Sequence, residues 1–116
     1  MKLRSAAAAV TTAALALVLS LPGSASAATG NFHYTYTDRH GEERHATLHD
    51  PQAERCINLH HVNSDEHPPA YAPHNETDSW VTVYVGTDCQ GAHWRLKPHG
   101  KRATDQLKLR SVRFDT

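Results

Sequence analysis

The sequence is short of cysteine. Its 116 residues hold two, Cys56 and Cys89, and neither is spare for a metal site. It is also short of net charge. Twelve Lys and Arg balance twelve Asp and Glu, so the concentrated positive field of a nucleic-acid binder is missing. No stretch sustains a helical period, which removes helix bundles from consideration. Only one apolar run is long enough to raise a membrane question, and it lies at the N-terminus.

That run decides the compartment. Lys2 and Arg4 precede an uncharged stretch from Ala6 to Leu21, Pro22 and Gly23 break it, and Ala25-Ser26-Ala27 offers a cleavage site. This is the anatomy of a secretory signal peptide, and the run is too short for a spanning helix. Residues 1–27 are read as the leader and residues 28–116 as a single secreted domain. A chain this small is marginal without a staple. In an oxidising compartment the two cysteines predict a Cys56–Cys89 disulfide.

Charge is uneven along the secreted part. Residues 28–80 carry 3 basic and 9 acidic side chains, and residues 81–116 carry 7 and 3. The simplest reading is two complementary halves packed in one body.

The pattern along the chain is that of strands. Phe32, Tyr34 and Tyr36 alternate with His33, Thr35 and Thr37, as in a half-buried strand. Asp38 to Gly41 reads as a turn, with a second strand from Glu43 to Leu48. Cys56 to Leu59 is a short strand. His60 to Ser79 is polar and holds Pro68, Pro69 and Pro73, which forbid a regular ladder. It predicts a long surface connection, with Asn75 of the Asn75-Glu76-Thr77 sequon in a turn. Val81, Val83 and Val85 alternate again, His93 to Leu96 pairs back, and Ser111 to Phe114 closes the domain. The class is all-β, with about six to eight short strands in a sandwich. Trp80 and Trp94 are expected in its core.

Ten histidines follow residue 28, a high number. His60, His61, His67 and His74 lie on or beside the long connection and are the best candidates for a zinc or copper site. The whole set also predicts a strong gain of positive charge in acid. Glu42, Glu43, Arg44 and His45 are the residue types of a small hydrolase, although a charged hairpin offers the same types without catalysis.

The closing stretch carries a family resemblance. Tyr84 ends an apolar strand and Gly91 follows seven residues later. Trp94 to Leu96 and a Pro98-His99-Gly100 turn come next, and Ser111 opens the last strand. This resembles one Greek-key motif of the βγ-crystallins, and the small secreted actinobacterial members of that superfamily in particular. The resemblance implies a small Greek-key β-sandwich. It implies that Gly91 supplies the positive φ of a folded hairpin and that Ser111 hydrogen-bonds back to that corner. Cys89 stands where the corner aromatic is usual, and the first half lacks a clear aromatic-x-Gly corner. The family's calcium position reads Gln106-Leu107-Lys108-Leu109-Arg110-Ser111, in which leucine offers no ligand and arginine adds positive charge. Calcium is therefore not expected there. The sequence predicts a non-enzymatic, monomeric binding or inhibitory module whose partner is an extracellular protease or a cell-envelope component. A histidine-based metal protein and a small hydrolase are the alternatives.

Overall fold

The computed structural model describes residues 26–116. Residues 1–25 of the leader, which the sequence places at residues 1–27, lie outside them. Within the described residues the chain is all-β, with eight short strands and one 3₁₀ turn. The strands are β1 (Gly30–Thr37), β2 (Glu43–His49), β3 (Cys56–Asn58), β4 (Ala70–Thr77), β5 (Val81–Tyr84), β6 (His93–Leu96), β7 (Lys108–Leu109) and β8 (Ser111–Phe114).

Two antiparallel four-stranded sheets stack as a sandwich, in the orders β2-β1-β4-β7 and β3-β8-β5-β6. In each half of the chain the fourth strand returns to lie beside the first, as in a Greek key. The third strand of each half crosses to the edge of the other sheet: β3 pairs with β8, and β7 pairs with β4. The two halves therefore share one pattern and are interlocked.

The alternation read from sequence sets the inner faces. Phe32 and Tyr34 are buried from the first sheet, and Val81, Val83, Val112 and Phe114 from the second. Phe32 meets Phe114 edge to face across the sandwich, with ring centroids 5.5 Å apart. This arrangement suits the ring quadrupoles. Leu59, Val62 and Leu109 fill the space around them. The predicted staple is present: Cys56 and Cys89 are disulfide-bonded, with Cα atoms 5.9 Å apart.

Two expectations need correction. Residues 60–79 are not one long connection, because β4 occupies Ala70–Thr77 at the centre of the first sheet. Pro73 is accommodated by a bulge. The β1–β4 register shifts between His33 and Thr35, so Ala72 and Pro73 together oppose Tyr34. Ala72 takes a positive φ of 51° there. The missing proline N–H falls where the ladder is already interrupted, and the Pro73 carbonyl accepts Ala103 N–H at 2.8 Å. Asn75 is likewise no turn residue but is buried in β4. Its Nδ2 donates to the carbonyls of Ser79, Leu96 and Lys97, and its Oδ1 accepts the amide and hydroxyl of Thr77.

The tryptophans are the second correction, since both are exposed, Trp80 at 43% and Trp94 at 50%. Trp80 precedes the buried Val81, so alternation turns it outward. The Arg95 guanidinium sits 4.6 Å over its ring. Trp94 lies on β6, the margin of the second sheet.

Candidate functional site

The exposed part of the 60–79 region that remains outside strands is a loop, residues 59–69, between β3 and β4. Its sequence alternates apolar anchors with polar tips. Leu59 and Val62 are fully buried, while His60, His61, Asn63, Asp65, Glu66 and Pro68 are exposed or half-exposed. Arg110 holds it from below. Leu59 N–H donates to the Arg110 carbonyl at 3.0 Å. The Arg110 guanidinium donates to His67 O at 2.8 Å and to Val85 O at 3.2 Å. A small turn closes the tip, with His67 N–H on Ser64 O and Ser64 Oγ 2.9 Å from His67 Nδ1. His61 takes a positive φ of 73° and lays its ring flat on Tyr36, centroids 4.5 Å apart.

That stacking brings the loop against the β1–β2 hairpin. Asp38 builds the hairpin tip. Its Oδ1 accepts the amides of His40 and Glu42, and its Oδ2 accepts Arg44 Nε at 2.9 Å. Arg44, together with these amides, holds the Asp38 carboxyl down at a pKa of about 2. Arg44 Nη2 also reaches Glu42. Between hairpin and loop lies a groove of about 430 Å³. Tyr36, Asp38, Arg39, His40 and Arg44 line it on one side, and His61 and His67 on the other.

The sequence-predicted histidines are therefore divided. His61 and His67 share this groove, and His60 adjoins His61 with ring centroids 6.3 Å apart. His74 is elsewhere, on β4, beside His33 of β1. Among the described residues, no three His, Cys, Asp or Glu side chains stand ready-arranged around a metal position. Glu43 and His45 also turn away from the groove: Glu43 accepts from the Tyr71 hydroxyl, and His45 meets Thr35. Of the Glu42–His45 set, only Arg44 lines it.

Of the predicted corner residues, Tyr84 and Ser111 face each other across β5 and β8, and Gly91, with a φ of +88°, lies beside Val85. The Ser111 hydroxyl donates to Gly86 O at 2.7 Å and accepts Cys89 N–H at 2.9 Å. The disulfide thus fastens β3 to a hairpin that Ser111 already folds over. The first half has no such corner, and Asp38 supplies the hairpin closure instead.

Sequence reasoning missed Arg110 as the anchor of the loop, and it read Asp38 as the start of a turn without its role in closing the tip. An aspartate opening an Asp-x-x-Gly turn was a usable signal for Asp38. Nothing local marked Arg110, because both of its acceptors are distant backbone carbonyls. No protein-family model, curated protein or solved structure matches the chain.

Proposed function

We propose that the protein is a secreted, βγ-crystallin-like domain that works by binding, and that its target is an extracellular protease or a cell-envelope component. The observation that carries this reading is the 59–69 loop. It presents polar side chains, yet it is held at Leu59, Val62 and His67 and lies beside the stapled corner. A contact loop held in advance loses less entropy on docking. The family part of the proposal draws support from the interlocked third strands and from the serine that folds the hairpin. The secreted part draws support from the disulfide, which persists in oxidising compartments.

The test uses the oxidised protein and a variant carrying Arg39→Ala, His61→Ala and Glu66→Ala, all on the exposed rim. Each is assayed as an inhibitor of purified secreted metallo-, serine and cysteine proteases, and for co-sedimentation with purified cell-wall material. Saturable inhibition or co-sedimentation that weakens at least tenfold in the variant supports the proposal. Absence of both from the unmodified protein overturns it.

A further inference from the structure

The first sheet carries four histidines on its outer face: His33 on β1, His45 and His49 on β2, and His74 on β4. His33 and His74 stand directly opposite each other across β1 and β4, with ring centroids 5.9 Å apart. One carboxylate oxygen, Glu76 Oε1, lies 2.8 Å from His33 Nε2 and 3.6 Å from His74 Nδ1.

The far nitrogen of each ring is engaged. His74 Nε2 is 3.1 Å from Gly100 O, and His33 Nδ1 is 2.9 Å from Thr47 Oγ1. A carbonyl can only accept, so His74 Nε2 carries the hydrogen. In the neutral ring, Nδ1 then holds a lone pair. That lone pair stands close to a carboxylate oxygen, and the two repel unless a proton or a metal ion lies between them.

We propose that His33 Nε2, His74 Nδ1 and Glu76 form a surface chelate for a divalent transition-metal ion of the zinc or copper type. Imidazole and carboxylate suit both ions. Imidazoles that bind metals donate their other N–H to a carbonyl, carboxylate or similar acceptor, and Gly100 O and Thr47 Oγ1 are in those places. Bonds of about 2.0–2.1 Å put tetrahedral neighbours roughly 3.4 Å apart, and the 2.8 and 3.6 Å separations bracket that value. Glu76 is now hydrogen-bonded to His33 rather than spread into a cage. Its side chain is half-exposed, so a side-chain rotation admits the ion. Arg102, whose guanidinium bonds Thr35 Oγ1 at 3.2 Å, is the neighbouring cation. Glu76 offsets its repulsion. The site is separate from the loop histidines and does not depend on the binding-module reading.

The test is calorimetric titration of the untagged, oxidised protein with zinc chloride and with a copper(II) salt at pH 7. One equivalent is expected to bind, copper more tightly than zinc. Affinity should fall at least tenfold in His33→Gln and in His74→Gln, fall less in Glu76→Gln, and stay unchanged in the His61→Gln/His67→Gln pair. Long-range ¹⁵N NMR of the unmodified protein gives a readout that no variant's folding can disturb. Zinc should shift His74 Nδ1 and leave Nε2 protonated. A flat titration overturns the proposal, as does binding that survives in the His33→Gln/His74→Gln double variant or disappears with the loop pair.

Discussion

Asn58 and Asp88 grip each other twice across 30 residues of sequence. Asn58 Nδ2 donates to Asp88 Oδ1 at 2.9 Å, and Asp88 N–H donates to Asn58 Oδ1 at 2.8 Å. The pair lies between β3 and the Thr87–Cys89 turn, next to the Cys56–Cys89 bridge. Asp88 and Cys89 both hold positive φ values there, 57° and 56°, and neither is glycine. Covalent and polar fasteners therefore hold one strained turn together.

The fasteners differ in what they stabilise. The disulfide acts mainly on the unfolded chain, closing a loop with a sequence separation of 33, worth about 3–4 kcal/mol by loop entropy. The hydrogen bonds act on the folded turn. A Cys56→Ser/Cys89→Ser variant should therefore keep the fold while losing about 3–4 kcal/mol in urea unfolding. Adding Asn58→Ala should cost roughly a further 1–2 kcal/mol. A double-cysteine variant as stable as the parent would show that the turn is held without the bridge.

Asn75 is the polar centre of the sandwich end. Its Nδ2 group donates to three carbonyls, of Ser79, Leu96 and Lys97, and Thr77 Oγ1 shares the first of them. Asn75→Ala abandons those acceptors and should destabilise by about 3 kcal/mol in denaturant unfolding. Asn75→Asp puts a carboxylate against the same three oxygens. It should be at least as damaging at pH 7 and partly relieved as acid protonates it. Its burial also leaves no room for a glycan on the folded protein. A small loss in Asn75→Ala, below about 0.5 kcal/mol, would remove it from this role.

The hairpin tip should respond to acid in a defined window. Asp38 ionises at about 2, below its ordinary 3.8, chiefly through the Arg44 hydrogen bond and then the Glu42 amide. The folded value is the lower one, so the contribution to stability is complete above pH about 4. It is lost as pH falls through about 2. Following the His40 and Glu42 amide shifts by NMR from pH 5 to 1.5 should give one transition near the lower value. In Arg44→Gln that transition should move up toward 3.8. A midpoint near 4 in the unmodified protein would mean that the tip is not closed by this carboxylate.

The strands were legible wherever apolar and polar residues alternate, as in Phe32 to Tyr36 and Val81 to Tyr84, because period two is local. The Cys56–Cys89 pairing was legible because only two cysteines exist. β4 was not, because proline is normally a bar to a central strand, and the bulge that admits Pro73 depends on β1 being its neighbour. The exposure of Trp80 and Trp94 was not legible, because a small core is expected to take up large apolar side chains, whereas here the aliphatic, Phe and Tyr34 side chains fill it without them. His33 and His74 meet only once β4 is recognised as the partner of β1, so a site on that face could not be read before the topology was known.

Arg110 gives the sharpest link between fold and proposed function. It stands at the β7–β8 junction and reaches His67 O and Val85 O with one planar guanidinium. It ties the 59–69 loop to the folded hairpin without touching the exposed rim. Arg110→Ala should therefore leave the sheets intact and loosen the loop. Amide exchange at His67, whose N–H is held by Ser64 O, should accelerate at least tenfold, while Val83 and Val112 keep their protection. Arg110→Lys should fall between, because a single ammonium cannot fork to two carbonyls as a guanidinium does. Target binding, once a target is in hand, should weaken in the same order, since the loop would then have to be ordered on docking. Unchanged exchange at His67 in Arg110→Ala would show that Leu59 and Val62 alone hold the loop, and that Arg110 is not its anchor.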